Sequence, residues 1–325
     1  MSTRAVLALL TVLTFGFAEA RVSAQATTGK ADVIVVVGAP GEEEFGSNFV
    51  KWSDQWVKAG GKAGANVTVV GTGPTNGPTD LELLKQALAA RSQEETSELW
   101  LVLLGHGTFD GKTAKFNLRG PDFTADDLAG WLKPIKRPMA LIDCSSASSP
   151  FLPKLSARGR VIITATRSGF EQNYARFGQY ISEAIADPEA DLDKDGQTSL
   201  LEAFLTASRR LADFYKGETR LMTEHPLIDD NGDGLGTQAD WFKGTRASKM
   251  AQGGKEVDGM RAQQFVLVRS VQELKLAPEV RARRDELELS VGKLRDQKAK
   301  LGEDEYYKQL EPMLVELAKI STQKQ

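Results

Sequence analysis

The chain has 325 residues, 41% of them hydrophobic and 26% charged, which is more than one minimal domain needs and enough for a sizeable core. Its 41 basic and 44 acidic residues leave a formal net charge of -3, so it lacks the concentrated positive field of a nucleic-acid-binding surface. A single cysteine excludes any intramolecular disulfide.

Met-Ser-Thr-Arg opens the chain, an apolar run follows from Ala5 to Ala18, and small residues Val22, Ser23 and Ala24 precede Gln25. This is the order of a secretory signal, with cleavage expected after Ala24 or, alternatively, Ala20. The run of about 14 residues falls short of the ~20 that span a bilayer as a helix. The mature protein is therefore expected to be periplasmic or secreted, with no membrane insertion.

Downstream, apolar runs at Val33–Val37, Val67–Val70, Leu99–Leu104, Met139–Ile142 and Val161–Thr164 predict strands buried on both faces. Helical patterns lie between them: one around Phe49, Trp52, Trp56 and Val57, one over Leu81–Leu88 opened by the Thr79-x-x-Glu82 capping pattern, and one over Ala125–Leu132 after Thr124. This alternation predicts an α/β protein with a doubly wound, mostly parallel six-stranded sheet and helices on both faces, the sixth strand being Gln264–Val268. From Pro278 the character changes. Val280, Leu287, Val291, Leu294 and Leu301, then Tyr306, Leu310, Leu314, Leu317 and Ile320 after Gly302, predict a C-terminal helical hairpin over 278–325, with Pro312 a kink or a new turn. Its apolar stripe calls for a partner: the sheet domain, a cap role, or self-association through 279–325.

Two predicted strands end in reactive residue types. Leu99–Leu104 leads into Gly105-His106-Gly107, and Met139–Ile142 leads into Asp143-Cys144-Ser145-Ser146. In an open parallel sheet, carboxyl ends of neighbouring strands form the ligand crevice. An imidazole that takes a thiol proton there makes a nucleophile, and the glycines beside His106 let amides approach an oxyanion. The alternative for Cys144 is a buried inert thiol, and His225, before Pro226 in a polar segment, reads as structural or exposed.

A hydrophobic strand ending in His-Gly, followed by a second ending in a small or acidic residue before Cys, resembles legumain-type and caspase-type cysteine peptidases over roughly residues 31–270. The resemblance implies a caspase-like fold, a His106 and Cys144 dyad, an oxyanion hole from the amides of Gly107 and Cys144, and protein or peptide substrates. The chain departs from legumains in having Ser145 after the cysteine, and from metacaspase-like enzymes in having Ile142 two residues before it. Glu42 to Glu44 after the first strand are either an acidic specificity pocket or a solvated turn.

Within an insertion at about 187–243, Asp191 to Glu202 matches the twelve-residue EF-hand loop. Asp191, Asp193, Asp195 and Ser199 supply side-chain oxygens, Gln197 a carbonyl, Gly196 the turn and Glu202 a bidentate carboxylate, so calcium is the expected cofactor. Asp229 to Asp240 repeats the pattern less completely and is either a second calcium loop or an ordinary turn. The sequence thus predicts an exported, calcium-stabilised cysteine endopeptidase working through an acyl-enzyme. A catalytically inactive calcium-binding scaffold and a transpeptidase remain as alternatives.

Overall fold

The computed structural model describes residues 29–92, 97–254 and 256–322, so the expected signal segment 1–24 lies outside the described residues. Its central sheet begins with β1 (Asp32–Val37), β2 (Asn66–Val70) and β3 (Leu99–Leu104). A small side sheet follows, made of β4 (Gly107–Phe109), β5 (Ala114–Phe116) and β6 (Phe123–Thr124). The central sheet then resumes with β7 (Met139–Asp143), β8 (Arg160–Thr164), β9 (Leu227–Asp229) and β10 (Thr237–Gln238). Strand order is β10-β9-β8-β7-β3-β1-β2. The pairs among β2, β1, β3, β7 and β8 are parallel, whereas β9 and β10 join antiparallel at one edge. A two-stranded ribbon, β11 (Phe242–Lys243) with β12 (Arg246–Ala247), completes the strands.

Helices cover both faces. On one lie α1 (Glu43–Lys62), α5 (Phe177–Ala184) and α6 (Leu200–Gly217), sharing a core with Val33, Val35, Trp100, Val102, Ile142 and Ile163. On the other lie α2 (Asp80–Ala89), α3 (Ala125–Leu132) and α4 (Leu152–Leu155), packed on Ile34, Leu101, Leu103 and Leu141. Alternate residues of one strand thus enter different cores, the period of two a strand imposes. Thr79 and Thr124 make the reciprocal capping boxes that open α2 and α3.

The sheet has seven strands where six were expected, and its sixth is not Gln264–Val268. That segment buries Phe265, Val266 and Leu267 but, with its flanks, forms a strap over 260–270 across the start of α6, where Phe265 accepts the amide of Leu200 and Ala262 that of Leu201. Apolar content selected the right residues to bury, and the sheet edge was already taken by β9.

The hairpin forms as α8 (Pro278–Asp296), with Pro278 in its first turn, and α9 (Glu303–Thr322), which continues through Pro312. A short helix, α7 (Val271–Lys275), leads into it. Leu287, Val291, Leu294, Tyr306 and Ile320 are buried, while Tyr307, Leu314 and Val315 stay exposed. Gly292 lies under Met260 of the strap, where a β-carbon would overlap Met260 Sδ. Gly292→Val should therefore loosen the hairpin from the strap, cost about 1–3 kcal/mol of stability, and expose α8 to limited proteolysis ahead of the sheet domain.

Candidate functional site

β3 and β7 pair in parallel, with Leu103 opposite Asp143, so the segments after them emerge side by side. His106 follows β3 by two residues. Its Nε2 lies 3.2 Å from the carbonyl oxygen of Pro40, which only accepts, so in the neutral ring this contact selects the tautomer with the proton on Nε2 and the lone pair on Nδ1. Phe45 and Phe49 of α1 meet the ring edge-on, at centroid distances of 5.3 and 5.1 Å, and Tyr174 closes the cage at 6.1 Å. Burial pushes the Tyr174 phenol up to about 12, and the Tyr174 hydroxyl accepts from Asn48 Nδ2.

Cys144 follows β7 directly and is 0% exposed. A β-carbon on Gly178 would stand 3.1 Å from Cys144 Cβ and 2.8 Å from Trp52, so α5 and α1 enclose the thiol. Burial, then the Asp143 and Glu224 carboxylates, push its pKa well above the ordinary thiol value. All three effects disfavour thiolate. No hydrogen bond joins Cys144 to His106 among the described residues. The amide of Cys144 donates to Leu103 in the sheet ladder, and the amide of Gly107 donates to Ser146 Oγ at 3.1 Å, so both expected oxyanion donors are engaged.

Two serines occupy the space beside Gly107. Ser145 Oγ would lie 3.0 Å from a β-carbon there, and it donates to Asp143 Oδ1 at 2.6 Å. Asp143 Oδ2 is buried with no hydrogen-bond partner, and burial, opposed by the Ser145 hydroxyl and amide, pushes this carboxyl up to about 7. Sequence spacing gave no sign of this cluster, because the direction of a side chain after a strand end depends on remote residues such as Gly178.

Glu42, Glu43 and Glu44 are exposed at the start of α1, where negative charge suits the helix N-terminus. His225 is partly exposed and its Nδ1 lies 2.6 Å from Glu171 Oε1. Glu224, buried beside it, accepts the amides of Arg176 and Phe177 at the start of α5.

In the first acidic loop, Asp191, Asp193 and Asp195 each offer a carboxylate oxygen within 4.8 Å of the others. Asp191 Oδ2 accepts from Gly196 N at 3.0 Å, Asp193 Oδ1 from Asp195 N at 3.2 Å, and Asp195 Oδ1 from Gln197 N at 3.0 Å. Glu202 Oε1 accepts the amides of Leu192 and Asp193, while Oε2 accepts the amide and hydroxyl of Ser199. Gln197 reaches Ser270 of the strap through its side-chain carbonyl, accepting that amide.

The second loop repeats this map. Asp229 Oδ2 accepts from Gly234 N, Asn231 Oδ1 from Asp233 N and Asp233 Oδ1 from Leu235 N. Position twelve, Asp240, is exposed. Asp258, from the chain ahead of the strap, takes the place of Glu202: it accepts the amides of Asp230 and Asn231 and the hydroxyl of Thr237. Burial and the neighbouring Asp230 push the Asp258 carboxyl up to about 8.

No family model matches this chain, and no curated protein matches it. Among solved structures, it is similar to the Drosophila initiator caspase Dronc, at 14% identity and a TM-score of 0.43, covering 67% of this chain and 85% of that one. It is likewise similar to caspase-1 from Spodoptera frugiperda, at 14% identity and a TM-score of 0.43, covering 64% and 88%.

Because burial raises the Asp143 pKa, its contribution to stability is whole below about pH 4, the ordinary carboxylate range, and is lost as pH rises through about 7. Asp143→Asn should flatten that falling limb when urea midpoints are followed from pH 4 to pH 8.

Proposed function

We propose that this chain is an exported peptide hydrolase working by acyl transfer in the crevice beyond β3 and β7, with His106 as general base and Cys144 as nucleophile. The carrying observation is the imidazole itself. It is packed against Phe45 and Phe49, its Nε2 lies against the Pro40 carbonyl, and the neutral ring in that tautomer presents the Nδ1 lone pair at the carboxyl end of a central strand. In this reading Nδ1 takes the thiol proton, sulfur adds to the scissile carbonyl, and the imidazolium returns the proton to the leaving amine. Water, deprotonated by the same nitrogen, then releases the acyl group. The enclosed thiol has to come out from between Trp52 and Gly178 for this chemistry.

A second reading, a calcium-binding scaffold on the same fold without turnover, is favoured by one observation: the thiol is fully buried and both expected oxyanion donors are engaged. Peptide-library profiling of the chain beginning at Gln25 separates the two. Under the hydrolase reading, His106→Ala lowers kcat/KM by about 10²- to 10⁴-fold, Cys144→Ala removes turnover, and thiol alkylation tracks inactivation. An unreactive Cys144 with no cleaved peptide establishes the scaffold, and a ligated product in place of a hydrolysed one establishes the transpeptidase.

Calcium belongs to either reading. Asp191, Asp193 and Asp195 converge as hard oxygen donors, and the Oδ1 of the buried Asp191 has no hydrogen-bond donor. The bound ion would relieve the mutual repulsion of these carboxylates and fix the start of α6. Extracellular calcium modules bind with Kd of ~10⁻⁴ to 10⁻³ M, so at ten times Kd the gain is about 1.4 kcal/mol. The thermal midpoint should rise with calcium over EDTA in the wild type and stay flat in Asp191→Ala; a flat wild-type series removes the ion.

A further inference from the structure

The twelve-residue pattern assigns Glu202 to the ion, yet its carboxylate is already full. An ionised carboxylate has about four lone-pair sites. Glu202 receives four donors: Leu192 N at 2.7 Å and Asp193 N at 3.1 Å on Oε1, and Ser199 N at 2.9 Å and Ser199 Oγ at 2.8 Å on Oε2. The residue is 2% exposed, so a rotation that offered an oxygen to an ion would strand buried amides. Asp191 presents the opposite case. It is 8% exposed, its Oδ1 has no donor, and it stands within the converging set with Asp193 and Asp195.

The second loop shows what the Glu202 contacts are for. There a shorter side chain from a different segment, Asp258, accepts the same two amides and the hydroxyl at the same ninth position. Chain position and side-chain length differ while the contacts persist. The common task is holding the second and third amides of the loop against the ninth residue, which sets the curvature of the acidic run.

Resting on the calcium reading, we propose that the cation of the first loop is ligated by Asp191, Asp193 and Asp195, and that Glu202 is a positioning residue that clamps the loop's amides and gives the ion no oxygen. The Gln197 backbone carbonyl and water complete the shell of about 6–8 oxygens.

Europium(III), an oxygen-seeking substitute for calcium, tests this, because its luminescence lifetimes in H₂O and D₂O count the waters on the ion. The wild type should show about two more waters than a shell that includes a bidentate carboxylate. Glu202→Gln should bind europium and calcium about 10- to 100-fold more weakly, the range for lost supporting contacts, with the water count unchanged. Asp191→Ala should gain a water. A higher water count in Glu202→Gln makes Glu202 a ligand and overturns the proposal, as does an unchanged affinity. If Glu202→Gln fails to fold, the wild-type count still decides. Absence of europium binding to the wild type fails the calcium reading itself, an outcome distinct from either result on Glu202.

Discussion

The pairing of β3 with β1 on one side and β7 on the other is the constraint from which the rest of the molecule is placed. Every residue of β3 is 0% exposed, and its two faces feed different cores, Trp100 and Val102 toward α1 and Leu101 and Leu103 toward α2 and α3. Backbone groups at such depth need partners. The ladder supplies them, down to the amide of Cys144 on the carbonyl of Leu103. That last bond fixes where β7 ends relative to His106, so the position of the candidate site follows from strand register.

Register also explains why the Cys144 thiol is enclosed. Continuing the alternation of Ala140 and Ile142 sends Cys144 into the core beneath α1 and α5, where Trp52 and Gly178 close over it. Only beyond Cys144 does the chain leave the ladder and bring Ser145 and Ser146 against Gly107. A thiolate here would face low polarity and the negative Asp143 and Glu224. In the proposed chemistry His106 has to overcome this desolvation first, so opening of the segment after β7 belongs to that proposal as much as the imidazole does.

Much of the scaffold was legible because strands buried on both faces must be continuously apolar, and β1, β3, β7 and β8 met that demand within a residue at each end, whereas β2, expected to be buried as they are, lies at the sheet edge and is only half-buried. The Thr79 and Glu82 capping pair and the N-cap Thr124 were equally readable, since a cap and the residues it bonds lie within one turn. What failed to show depends on distance along the chain. β9 is three residues long and has no periodicity to read, so the apolar strap at 264–268 took its place in the reading. Pro40 as the partner of His106, and Asp258 as the partner of the second acidic loop, come from segments that local spacing cannot link.

Two ways of burying acid divide the molecule. Around the sheet, carboxylates meet guanidinium groups: Asp32 pairs with Arg137 and Arg91, Asp80 with Arg119, and Glu98 with Arg269. In the insertion and the chain just after it, Glu202, Asp230 and Asp258 are equally buried but meet backbone amides, and no ion pair to them is present among the described residues. A guanidinium neutralises charge and holds one geometry. Amides satisfy the oxygens but supply no counter-charge, so burial raises the pKa of Asp230 and pushes the Asp258 carboxyl up to about 8. The acids paired with arginine around the sheet thus carry their own counter-charge, whereas Asp191, Asp193 and Asp195 converge with no ion pair to any of them among the described residues.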